Sequence, residues 1–175
     1  MLFSFHAFAE DTNPFKAIRI NEVCASCSKD IIVLTNDKSP DWIELYNDSD
    51  DEVNLKGLCL SDSKKKLEKY VFGDITIAPR GYLVIYCTGE EDAVSTALCV
   101  PFKLSSEGEK VVLSYNGEVF CKVSYDKMEK DTSYAVNDQT IWSVTAVPTP
   151  GEENVFIPVT SENVISDNDT EGDLK

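Results

Sequence analysis

The sequence contains a single histidine, His6, within its first ten residues. The rest of the chain therefore has no histidine for a Ser/His/Asp nucleophilic set or for a histidine-bearing metal site, and no glycine-rich phosphate loop is present. Basic residues are scarce: 16 against 31 acidic ones, for a formal net charge of −15. A chain of that sign releases no counterions from a phosphate backbone and is repelled by anionic lipid. Nucleic acid and charged membrane surfaces are thus disfavoured as partners. No apolar run approaches the roughly 18 residues that a transmembrane helix needs. Amphipathic helical periodicity and internal repeats are missing as well.

What the 175 residues do contain is a series of short Val-, Ile-, Tyr-, Phe- and Trp-rich runs separated by turn chemistry. The pattern predicts strands at 17–24, 31–35, 41–47, 57–61, 68–72, 75–77, 81–87, 98–104, 110–115, 118–125, 132–136 and 141–145. Asn116-Gly117 between two such runs predicts a tight hairpin of type I′. Many short strands at this spacing argue for one all-β domain, a sandwich or barrel, rather than a parallel sheet. Residues 1–16 read as a truncated signal peptide or linker, because Ala7-Phe8-Ala9 before Glu10-Asp11 has the form of a signal-peptidase junction. Residues 155–175 read as an acidic, disordered tail, with Val155 to Val159 able to add an edge strand.

Within this frame the run Asp41-Trp42-Ile43-Glu44-Leu45-Tyr46-Asn47 is unusual. In an extended strand Trp42, Glu44 and Tyr46 share one face and Ile43 and Leu45 the other. A carboxylate between two large aromatics needs a specific hydrogen-bond partner if it is buried. The same grammar continues in Ile18-Arg19-Ile20-Asn21-Glu22-Val23, Gly57-Leu58-Cys59-Leu60-Ser61-Asp62, Ile77 to Tyr86, Phe102-Lys103-Leu104 and Pro148-Thr149-Pro150-Gly151-Glu152. In this order the pieces, spanning Ile18 to Asn154, resemble the lamin tail domain in its bacterial form. The resemblance implies an immunoglobulin-like β-sandwich over 17–154 with no enzymatic role and no cofactor. It further implies an accessory module, monomeric by default, that meets another protein or a cell-surface component on or outside a bacterial cell.

The resemblance places Asn21, Glu22, Trp42, Glu44 and Asp62 in a structural motif. Glu44 is expected to accept hydrogen bonds from backbone or tyrosine hydroxyls, and Asp62 to cap its turn. Glu44 and Asp62 are also the two carboxylates to weigh as a glycosidase pair, but nothing in the sequence suggests the required separation. A carbohydrate- or cell-wall-binding module is the alternative function, and it requires Trp42, Tyr70 or Trp142 to be exposed. The acidic turn Asp48 to Glu52 lacks the spacing of a calcium loop and reads as a solvated hairpin. Lys64-Lys65-Lys66 with Lys69 reads as a solubilising loop.

Six cysteines, Cys24, Cys27, Cys59, Cys87, Cys99 and Cys121, form an even set that suits an exported protein and allows disulfides or buried thiols. Cys24-Ala25-Ser26-Cys27 is the one C-x-x-C, without the second pair that zinc needs or the helix that redox chemistry needs. Alternation points Cys121 and Cys87 inward and Cys59 outward.

Overall fold

A computed structural model describes residues 13–28, 39–91 and 97–160. Among these, eleven strands and no helix occur: β1 (Ile18–Cys24), β2 (Asp41–Asn47), β3 (Val53–Asn54), β4 (Cys59–Ser61), β5 (Tyr70–Val71), β6 (Thr76–Ile77), β7 (Tyr82–Cys87), β8 (Glu109–Tyr115), β9 (Glu118–Tyr125), β10 (Ser133–Val136) and β11 (Trp142–Thr145). They form a five-stranded sheet in the order β11-β10-β1-β2-β7, a four-stranded sheet β5-β4-β8-β9 and a β3-β6 ribbon. Every pairing between strands is antiparallel. Ile18, Ile20, Val23, Ile43, Leu45 and Ile85 of the larger sheet meet Leu60, Val111, Leu113 and Val123 of the smaller one in a single apolar cluster. That inter-sheet core is what the alternating sequence requires of a sandwich of the immunoglobulin-like kind.

Turn chemistry closes the ends as the residues demand. Asn116 and Gly117 both adopt positive φ, 50° and 80°, which joins β8 to β9 with the I′ twist. Asn47, fully buried at the end of β2, donates through Nδ2 to the carbonyls of Asp51, Ile77 and Ala78 and accepts from Ser49. One side chain thus ties the turn after β2 to the chain entering β7. The acidic turn itself is engaged: Arg80 pairs with Asp48 at 2.6 Å and Asp50 at 3.1 Å, at an exposed site where such pairs add little stability.

The structure departs from the sequence-predicted strands in four places. Residues 98–104 hold only an isolated bridge, Tyr86 to Cys99, because Pro101 has no N–H for a ladder. The Phe102 carbonyl is taken instead by the Gly89 amide. The run at 57–61 begins only at Cys59, since Gly57 turns at φ 89°. β3, just after the acidic turn, is a strand the sequence pattern does not predict, and it pairs with β6. Residues 155–159 add no strand, although Ile157 bonds back to Ala146 and Thr145. The expected strand at 31–35, most of the leader and the tail beyond 160 lie outside the described residues.

Cys24 and Cys27 are joined by a disulfide, while Cys59, Cys87, Cys99 and Cys121 are free thiols. Cys87 is in the core and Cys121 packs against it half-buried, as its alternation predicts. A β-bulge opposite Leu113 and Ser114 breaks that alternation and leaves Val119 exposed. Cys59 does lie off the core cluster, but it is buried rather than exposed, because β4 is an inner strand and Ser114 of β8 stands directly opposite.

Replacing Asn47 by Ala leaves three carbonyls without their donor. Urea denaturation should show a loss of about 2 kcal/mol, within the range for unsatisfied buried partners; a variant as stable as the parent would show that the turn closes without it.

Candidate functional site

The outer face of the five-stranded sheet, turned away from the core, carries the chain's most unusual buried groups. A bulge in β1 between Ile20 and Glu22 leaves Asn21 without a cross-strand partner. The bulge lets Ile18, Ile20 and Val23 all reach the core while Glu22 and Cys24 point outward. Glu22 then lies in direct register with Glu44 of β2, and Cys24 with Trp42. Val84 of β7 flanks Glu44 on its other side and Ala135 of β10 flanks Glu22. Both carboxylates are completely buried.

Their hydrogen-bond partners come from distant parts of the sequence. Glu22 accepts from the hydroxyl of Ser133, from the amide of Thr149 at 3.1 and 3.2 Å, and from the Thr149 hydroxyl at 2.9 Å. Glu44 accepts from Asn21 Nδ2 at 2.8 Å and from the Gly151 amide at 2.5 Å. Asn154 completes the set: its Nδ2 donates to the carbonyls of Asn21 and Val136, and its Oδ1 accepts from Asn21. The segment that follows β11 therefore folds back as a strap over β1 and β2. Its two ends are tied at Thr145 and Ala146, by the Thr145 hydroxyl donating to the Val155 carbonyl and the Ala146 amide donating to that of Ile157.

Burial is the largest influence on both acids and pushes both upward. Glu44 reaches about 7, with the Gly151 and Asn21 donors pulling it down and Glu22 raising it further. Glu22 is also raised by burial, against the Ser133 and Thr149 donors. Asp41, at the start of β2, rises to about 6 for the same principal reason.

Of the five motif residues, the structure brings four together. Asn21, Glu22 and Glu44 form the polar cluster, and Trp42 is fully buried on the same face as Glu44. The Glu44 donors are the Gly151 amide and the Asn21 side chain, with no tyrosine hydroxyl among them. Asp62 lies elsewhere, just beyond β4 in the other sheet, and pairs with Lys69, whose ammonium is 5.7 Å from the Phe102 ring. Ser61, rather than Asp62, closes that turn, through Ser63 and the Lys66 carbonyl. Glu44 and Asp62 thus form no catalytic pair. The carboxylates that do pair, Glu22 and Glu44, are sealed beneath the strap and are suited to holding a segment of the chain in place.

Sequence reasoning did not single out Ser133, Thr149 and Asn154, although the Pro148-Thr149-Pro150-Gly151-Glu152 piece marked the right segment. Their role depends on long-range contacts that no local pattern encodes. Among the aromatics weighed for sugar stacking, Trp42 is buried. Trp142 is half-buried and stacked on Tyr134 at 5.2 Å, and Tyr70 meets Phe72 edge-on. Beside the strap a cleft of about 150 Å³ is lined by Arg19, Asn21, Tyr82, Asn137, Glu153 and Phe156, among others. Arg19 stacks on Tyr46, 4.8 Å from its centroid. Among the described residues, no group of three or more His, Cys, Asp or Glu is arranged to hold a metal ion, and no helix is long and apolar enough to cross a membrane.

A family model described as Lamin Tail Domain matches residues 12–127. A search of curated proteins found no match. The matched span ends before β10, β11 and the strap, which supply one of the two partner strands of β1 and most donors to Glu22 and Glu44.

Three outcomes follow from this geometry. Glu44→Ala should destabilise the protein by roughly 1–3 kcal/mol in denaturant unfolding, because Asn21 and Gly151 lose their acceptor. Acids held above their ordinary value stabilise fully below that value, and the contribution is lost as pH rises through the folded one. Melting temperature should therefore fall from pH 5 to pH 8, and Glu44→Gln should flatten part of that slope. A fragment ending at residue 127 should fail to give a cooperative thermal transition, since it uncovers a β1 edge and two buried carboxylates; a sharp transition would show that the strap is dispensable.

Proposed function

Because the chain belongs to the lamin tail domain family, whose immunoglobulin-like members are non-catalytic, we propose that it is an interaction module rather than an enzyme, acting on another protein at or outside a bacterial cell surface. The observation that carries this reading is where the apolar surface lies. Of the eight large hydrophobic side chains exposed among the described residues, six fall between 141 and 159: Ile141, Val144, Val155, Phe156, Ile157 and Val159. Scattered apolar residues need no explanation, but six that fall at β11 and on the segment returning to its end suit a contact surface. β11 is an edge strand of the five-stranded sheet, and the returning segment runs beside its end. An edge strand flanked by apolar side chains is suited to receive an extended segment of another chain.

Placement outside the cytoplasm is supported by the Cys24–Cys27 disulfide, a bond that persists in oxidising compartments. The strongly acidic composition favours a protein partner over nucleic acid or anionic lipid. Of the three aromatics a sugar would need, Trp42 is buried, Trp142 is half-buried and stacked on Tyr134, and Tyr70 is half-buried against Phe72, which favours the protein reading over the carbohydrate one.

A photo-reactive phenylalanine placed at Val144 or Ile157 should cross-link to one protein partner in the native cells, while the same residue at Lys122, on β9 of the other sheet, should not. Equal cross-linking at all three positions, or adducts only with polysaccharide, would overturn the assignment.

A further inference from the structure

Glu22 and Glu44 face each other in register on adjacent strands, fully buried, with a segment from the far end of the domain laid across them. We propose that residues 146–157 form a proton-gated strap: it lies closed while the Glu22–Glu44 pair holds a proton and lifts from the sheet when both carboxylates ionise.

The charged and titratable surroundings of the pair make this a sensitive arrangement. From β1 the neighbouring charge is Arg19, but it lies one bulge away, opposite Tyr46, and stacks on that ring. From β2 the neighbour is Tyr46 and from β7 it is Tyr82; Val84, which directly flanks Glu44, is apolar. β10 and β11 present only the neutral Ser133, Ala135, Ser143 and Thr145 toward this face. The strap itself adds two more acids, Glu152 and Glu153, beside the residues that do the bonding. No cation among the described residues contacts either carboxylate, so the second ionisation places two like charges side by side in a dry site.

The donors cannot absorb that cost. Glu44 has one donor from Asn21 and one from Gly151, and Glu22 has the Ser133 hydroxyl and the amide and hydroxyl of Thr149. With one proton on the pair these contacts suffice for a single net charge. With none, the remaining lone pairs require water, and the strap is the movable cover: Pro148 and Pro150 are partly exposed, Gly151 to Glu153 are exposed, and Gly151 already holds a positive φ of 84°. The elevated position of Glu44, about 7, places the second ionisation near neutrality, and the two acids titrate as a coupled pair. Gating of this kind needs only a weakly held element biased by a local charge change.

The test uses the full chain labelled with 13C and 15N. Side-chain carboxyl shifts of Glu22 and Glu44 should show a step near pH 7. On the approach to it, from about pH 5 upward, the protection of the Thr149 and Gly151 amides against exchange, corrected for the intrinsic rate, should fall by about tenfold per pH unit, the slope of a single linked proton, and should level off above the step. Amides of β8 should keep their protection throughout. In Glu44→Gln the Thr149 and Gly151 protection should be independent of pH, and Glu22→Gln provides the same comparison should the first variant fold poorly. Two ionisations completed below pH 5 would overturn the proposal. So would a step near 7 without loss of strap protection, or a loss shared equally by β8.

Discussion

Two glutamates opposite one another on neighbouring strands constrain how β10 and the strap beyond β11 are laid down. A carboxylate buried in a β-face is costly unless its lone pairs are met, and two of them in register double the requirement. The fold meets it with donors from β10 and from the loop beyond β11, separated from Glu22 by 111 and 127 residues along the chain. The apolar core joins the two sheets, but it is these polar contacts that decide how the last strands and the strap are placed on the outer face. Removing the acids would relax the demand on Ser133, Thr149 and Gly151 together.

Much of the architecture could be read locally because period-two alternation and turn residues are local signals. Asn116-Gly117 specifies its hairpin, and strand alternation alone puts Trp42, Glu44 and Tyr46 on one face. The misses have physical causes of the same kind. Pro101 removes a ladder donor, so an apolar run became a connector. Cys59 alternates outward, yet an inner strand of a sheet can be covered on both faces. At the site, the acids were legible because they interrupt an apolar pattern, whereas their donors were not, since Ser, Thr, Asn and Gly occur in every turn. Asp62 was grouped with Glu44 by motif and separated from it by topology, a distinction visible only in three dimensions.

The cysteines show a similar division. Cys24 and Cys27, near each other in sequence, are the pair the structure joins, within a loop that is also fastened by the Ser26 carbonyl accepting from the Asp131 amide and by Ser28 donating to the Asp131 carboxylate. Those contacts lie beside the start of β10, so the loop after β1 and the strand that covers β1 are fixed together. The four remaining thiols are inner or half-buried, and Cys87, wholly enclosed, is held well above its ordinary value by burial. They act as small apolar side chains, inert while the sandwich stays closed.

The position of β1 between β2 and β10 gives the domain a mechanical polarity. A pull from the C-terminal side meets the strap first, then the edge strand β11, and each can peel away a few hydrogen bonds at a time. A pull from the N-terminal side acts on a strand laddered on both flanks, so both ladders must yield together. A partner gripping β11 and the returning segment therefore holds the weaker end of the molecule, while a tether at the other end bears load through the strongest strand.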